Sequence, residues 1–159
     1  MIQRIQTVYL LLAVVFSVCC LSLSVGTFTT GEDMNMSAFR EYNLWITGAE
    51  GLHDFRVWPM FAILLMSAAS GLYSIFMYNN RIAQARFCVF NTLLIAGWYV
   101  VYFVFSQVYV GTEESSSLFK TFSFEFPAVF PLISGGLYLL ARKAIMSDEK
   151  LVKAADRIR

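Results

Sequence analysis

Few residues in this chain are of a type that does chemistry, and their spacing brings none of them together. A single histidine, His53, stands beside Asp54, and the three cysteines are Cys19, Cys20 and Cys88. A metal site needs several N, S or O donors converging on one point, and a lone histidine without a CxxC or a second histidine offers no such set. His53 with Asp54 can form a pH-sensitive contact, but a histidine in a polar loop is ordinarily just solvated. Cys19 and Cys20 are adjacent in one apolar run and Cys88 falls near the opposite end of another, so no disulfide is implied. Nucleophilic catalysis would need a serine or cysteine with a positioned base, and acid–base catalysis a pair of carboxylates. No Ser/His/Asp set and no pair of carboxylates within an apolar run is present, nor is a glycine-rich phosphate loop. The expectation is a protein that is not an enzyme, with no catalytic residue, no metal ligand and no cofactor.

Whatever these residues do, four apolar stretches must position them, at about 7–25, 59–78, 87–108 and 126–145, the last running past Arg142 and Lys143. A helix rises about 1.5 Å per residue, so roughly twenty residues cross a hydrocarbon layer about 30 Å thick. The composition agrees, at 58% hydrophobic and 14% charged, where soluble domains carry about 25% charge. The first stretch follows Arg4 and ends near Ser22 and Ser24, a passable signal-peptide pattern. Its length and the three stretches that follow favour a retained anchor. The fold class expected is all-α, a bundle of four transmembrane helices in which residues 1–146 form the membrane domain and 147–159 a tail.

Charge sorts by side. Arg4, Arg81, Arg86, Arg142, Lys143, Lys150, Lys153, Arg157 and Arg159, nine of the twelve basic residues, flank the spans on one side. The other two connections hold Arg40, Arg56 and Lys120 against Glu32, Asp33, Glu41, Glu50, Asp54, Glu113, Glu114 and Glu125. Lys and Arg near span ends mark the cytoplasmic face, so both termini and the link 79–86 are expected inside and the Glu-rich loops outside. In those loops Phe122, Phe124 and Phe126 alternate with Thr121, Ser123 and Glu125, and the longer 26–58 connection mixes Thr27, Thr29, Phe39, Tyr42 and Trp45. Period-two patterning rich in threonine and aromatics is a strand signal, and the two loops together would make a small extracytoplasmic β cap.

Within the spans, Ser67 and Gly71, and Gly135 and Gly136, are the candidates for close helix packing, since small residues let backbones approach. Pro131 is the kink candidate, because a proline inside a helix removes a hydrogen bond. Trp98, Tyr102, Phe105 and Tyr109 recur on one face of the third span and read as a packing surface. No Asp, Glu, Lys, Arg or His lies deep in a span, which lowers the prospect of an ion or proton path. The tail reads as a short cytoplasmic amphipathic helix begun by Ser147 or Asp148. Leu151, Ala155 and Ile158 share a face as partner or interface candidates, and Glu149 precedes Lys153 by four.

The opening MIQRIQTVYLLLA and the closing DEKLVKAADRIR resemble the two ends of an uncharacterised four-span integral-membrane family of Bacteroidota, the domain of unknown function numbered 4293. The resemblance implies a bacterial inner-membrane protein with no catalytic residues to carry over. Two functions are expected from sequence. The first is an accessory or scaffold subunit of a membrane complex, in contact with the lipid bilayer and engaging a protein subunit at the outer loops or cytoplasmic ends, without nucleic acid. The alternative is a small oligomeric transporter of a lipid or small molecule.

Overall fold

The computed structural model describes residues 2–30, 37–47, 53–78, 80–111 and 121–156. Helices occupy the four apolar runs, but local chemistry shifts their ends. α1 (Ile2–Ser22) stops short of the expected boundary, because Ser24, Thr27, Thr29 and Thr30 favour extended chain and begin strand β1 (Ser24–Thr30). Val25, expected at the end of the first span, therefore belongs to the sheet. α2 (Trp58–Phe76) carries Pro59 in its first turn, where the missing N–H has no intrahelical partner to lose. A 3₁₀ turn, Phe55–Val57, leads into it, capped by the Asp54 carboxylate accepting from the Arg56 N–H at 3.1 Å.

α3 (Arg81–Gly111) begins six residues before the expected span, so most of the link 79–86 is helix. Charge does not end a helix, and Asn80 starts this one by accepting from the Ala83 N–H at 3.2 Å. α4 (Phe130–Asp156) follows a 3₁₀ turn, Phe126–Val129, and runs unbroken through Ser147. No glycine or proline occurs after Gly136 to stop it. The described part of the tail is thus a continuation of α4 rather than a separate helix begun at Ser147 or Asp148. Ile158 lies outside the described residues, as does the side chain of Ala155.

The outer connections pair into one antiparallel five-stranded sheet of order β4-β3-β2-β1-β5, with β2 (Ser37–Tyr42), β3 (Ile46–Thr47), β4 (His53–Asp54) and β5 (Thr121–Phe124). Sequence periodicity anticipated a sheet made by both loops, and β5 does pair with β1, Phe122 opposite Phe28 and Phe124 opposite Gly26. On β2 the register sets Phe39 opposite Phe28 and Glu41 opposite Gly26, with a bulge between Ser24 and Gly26. These residues line one face of the sheet, since side chains directly opposite in an antiparallel pair point the same way.

α1 packs on α2 and α4, and α3 packs on the same two, so each helix has two neighbours. The sheet closes the end where α1 and α3 finish and α2 and α4 begin. Beneath it lies a core containing Phe28, Met60, Leu64, Trp98 and Tyr102, while Leu10, Cys88, Tyr138 and Ile145 fill the other end. Besides this apolar interior, large apolar side chains also cover the outside of the helices. Ser17, Ser67, Asn91 and Ser134 are buried, while Leu65, Leu72, Leu93, Val100, Leu132 and Leu139 are exposed on the helix exteriors. All four helices are long and apolar enough to cross a membrane.

Candidate functional site beneath the sheet

The buried polar groups converge where the helix ends meet the sheet. The last four carbonyls and first four N–H groups of any helix lack intrahelical partners and must be satisfied from outside. Asn43, fully buried between β2 and β3, does this for two helices at once. Its amide nitrogen donates to the Cys20 carbonyl near the end of α1 at 2.7 Å, and its main-chain carbonyl accepts from the Phe61 N–H in the first turn of α2 at 3.1 Å. Its remaining oxygen accepts from the Trp98 indole N–H on α3 at 2.9 Å. Asn43 thus joins α1, α2 and α3 to the sheet through one residue.

α4 is tied in by a different device. Pro131 lies at the second position of α4, just past the 3₁₀ turn, and cannot donate a backbone hydrogen bond. One residue on, the Leu132 N–H donates not to its own helix but to the hydroxyl of Tyr99 at 3.0 Å, and that hydroxyl donates to the Ala128 carbonyl at 2.7 Å. Tyr99 is therefore inserted into the backbone ladder of α4, a recognised origin of helix deformation. Pro131, the kink candidate, marks the 3₁₀-to-α junction where this insertion occurs.

Trp98 stacks on Tyr102 with centroids 5.0 Å apart and planes 19° from parallel, and the Tyr102 hydroxyl donates to the Val25 carbonyl at 2.6 Å. The Val25 carbonyl also accepts from the Glu125 N–H at 3.2 Å. The Glu125 carboxylate accepts from Ser24 Oγ and, at 2.5 Å, from Thr27 Oγ1, joining β1 to the start of the fourth span. The aromatic face read from the third span is thus a packing and hydrogen-bonding surface under the sheet. The Tyr109 side chain lies outside the described residues.

Glu41 has no such partners. It is 0% exposed and, among the described residues, neither carboxyl oxygen has a hydrogen-bond partner. A Cβ added at Gly26, the residue opposite, would fall 3.2 Å from Glu41 Oε2 and 2.5 Å from the Phe122 ring, so the carboxyl and the ring share the space a larger residue would fill. Burial away from water disfavours the charged form and pushes the Glu41 carboxyl up to about 8. Sequence counted Glu41 only as one of the acidic loop residues. The usable signal was its spacing of two from Phe39, which sets both on one face of β2.

The helix-packing candidates divide. Gly71 is required where it stands, because a Cβ there would collide with the Tyr138 hydroxyl and come within 3.0 Å of Val14. Ser67 is buried beside it, its carbonyl 3.5 Å from the same hydroxyl. Gly135 is buried with the Ile95 methyls at 3.6 and 3.8 Å from an added Cβ, an ordinary contact rather than an enforced close approach. Gly136 faces outward with nothing within 4 Å, so its expected part in packing inside this chain is not found. Ser17 and Ser134 cross from α1 to α4 at 2.9 Å and share the Ala13 carbonyl, a contact the sequence reading did not identify. Leu151 is 58% exposed, and Asp148 pairs with Arg81 at 2.7 Å. Among the described residues no three His, Cys, Asp or Glu side chains come together, and His53 packs with Trp45 and Phe55 at 5.4 and 6.4 Å. Among the described residues, the arrangement ties the sheet to the ends of the helices and buries one carboxyl beneath it.

No curated protein matches the chain. The family model described as Domain of unknown function (DUF4293) matches residues 2–158, and the chain belongs to that family.

Proposed function

We propose that the chain is a non-enzymatic integral protein of a bacterial inner membrane, with both termini cytoplasmic, acting as an accessory or scaffold subunit of a membrane complex. Exposed leucine and valine on all four helix exteriors suit hydrocarbon and would be a liability in water. Basic residues gathered at the end away from the sheet support the orientation. The single observation that carries the scaffold reading is the extension of α4. With its 3₁₀ turn this element spans residues 126–156, longer than a crossing needs, and its distal part is pinned to the start of α3 by the Arg81–Asp148 pair. It presents Leu151 and Val152, both exposed, beside Lys150 and Lys153. A helix held in place with an uncovered apolar edge is suited to docking a protein.

Purification in mild detergent with mass spectrometry tests this. A stoichiometric foreign subunit that is lost from Leu151→Asp/Val152→Asp, with the helices still inserted, is the expected result. Retention of every copurifying protein by that variant overturns it. A groove of about 440 Å³ between α3 and the start of α4, lined by Tyr99, Tyr102, Phe103, Phe124, Val129 and Leu132, favours the second reading, an oligomeric transporter of a lipid or small molecule. A homo-oligomer that retains bound lipid or solute and no foreign subunit would support that reading instead.

A further inference from the structure

Among the described residues, Asn43, Trp98 and Tyr102 tie the sheet to the helices by hydrogen bonds, and the buried carboxyl beside them does not. Glu41 lies on the inner face of the sheet with 0% exposure, opposite Gly26 and Ile46, beneath the Phe122 ring and without a hydrogen bond to either oxygen. No ion pair joins it to a described residue. Among the described residues, Tyr102 on α3 is the titratable group that feels Glu41, and Cys20, Tyr99 and Glu125 lie around that same tyrosine; β1 and β3 set Gly26 and Ile46 opposite Glu41, and neither titrates. The Tyr102 hydroxyl is committed to the Val25 carbonyl and the Glu125 carboxylate to Ser24 and Thr27. Arg40, next along β2, is exposed on the opposite face. Among the described residues a negative charge at Glu41 would thus have neither a cation nor a donor, and an uncompensated buried carboxylate must either stay protonated or reach water.

We propose that Glu41 is a proton-binding site that clasps the sheet onto the helix ends, closed while the carboxyl is neutral and released when its proton leaves. Release moves β2 relative to β5, because the Glu41 carboxyl and the Phe122 ring share the space beside Gly26 and water drawn to an ionised carboxyl displaces that packing. The site binds a proton and nothing larger, since Gly26 and Phe122 already occupy the space around it. The inference holds whichever side of a membrane the sheet faces.

The test uses the full chain in detergent or lipid nanodiscs at about pH 5.5 and about pH 9. Infrared difference spectroscopy should show a protonated carboxylic acid band that persists above the pH at which exposed carboxylates ionise and is absent from Glu41→Gln. Amide hydrogen exchange, corrected for intrinsic rates, should show the opening of β1, β2 and β5 in the wild-type chain rising about tenfold per pH unit over the titration range. Glu41→Gln, neutral at every pH, should keep these strands protected throughout, while Glu125→Gln should retain the wild-type pH dependence. The proposal is overturned if no acid band is present at neutral pH, if the band disappears with Glu125→Gln instead, or if Glu41→Gln opens with the same pH dependence as wild type. Absence of that band from the wild-type chain overturns the proposal even if a variant fails to fold.

Discussion

Replacing Asn43 by leucine should cost more than any other single change under the sheet, and the structure shows why. Leucine has the same branching of heavy atoms, so no cavity forms and the polar loss dominates, with crowding by its bulkier methyl groups added to it. The substitution strands the Trp98 indole N–H, which donates to Asn43 at 2.9 Å, and the Cys20 carbonyl, which accepts at 2.7 Å. Both groups lie in a fully buried setting. An unsatisfied buried donor or acceptor costs roughly 1–3 kcal/mol, so the pair implies about 2–6 kcal/mol. The main-chain bond to Phe61 is retained, which limits the loss to these two groups. Trp98→Phe supplies the internal control, since it removes one of the stranded partners. The double variant should then fall short of the summed single costs by at least about 1 kcal/mol, well above the roughly 0.3–0.5 kcal/mol scatter of independent sites. Reversible unfolding in detergent, followed by near-ultraviolet circular dichroism, measures all three. A loss under about 1 kcal/mol for Asn43→Leu, or strict additivity with Trp98→Phe, would refute the assignment of Asn43 as the junction of three helices.

Gly71→Ala should destabilise by about 1–3 kcal/mol through collision with the buried Tyr138 hydroxyl, whereas Gly136→Ala, facing open space, should be neutral or slightly stabilising; thermal unfolding of the two variants compares them directly. Tyr99→Phe keeps the ring but strands the Leu132 N–H and the Ala128 carbonyl, so hydrogen exchange at Leu132 should rise at least tenfold while α1 is unaffected. Glu41 gives the stability a defined pH dependence: its folded value, about 8, lies above its usual 4.5, so the folded state binds more protons and stability falls as pH rises between those values. The fall is about 5 kcal/mol at most and flattens above the upper value, and a urea midpoint that does not decline over that range, or declines equally in Glu41→Gln, would contradict it.

Much of the fold is legible in the chain because it depends on near neighbours. Four apolar runs long enough to cross a membrane are four helices, and the Thr/Phe alternation that begins at Thr121 is a strand as far as Phe124, because periodicity reports directly which face of a local element is buried. Helix ends were read less well: Arg81 and Arg86 looked like a link, yet a charged side chain is compatible with helix and Asn80 supplies the cap. The site belongs to the tertiary structure. The sequence left Glu41 among the acidic loop residues and did not single out Asn43 or Tyr138, because what each of them meets comes from elsewhere in the chain. Asn43 meets Trp98, 55 residues away, and Tyr102 meets Val25, 77 residues away. Gly71 and Gly136 look alike in sequence; one is indispensable because Tyr138 crosses from α4 to occupy its missing side chain, and the other faces outward. Whether a carboxylate is an ordinary surface charge or a buried neutral acid is likewise decided by what packs over it. For Glu41 that is the Phe122 ring, brought from the far end of the chain by the pairing of β5 with β1.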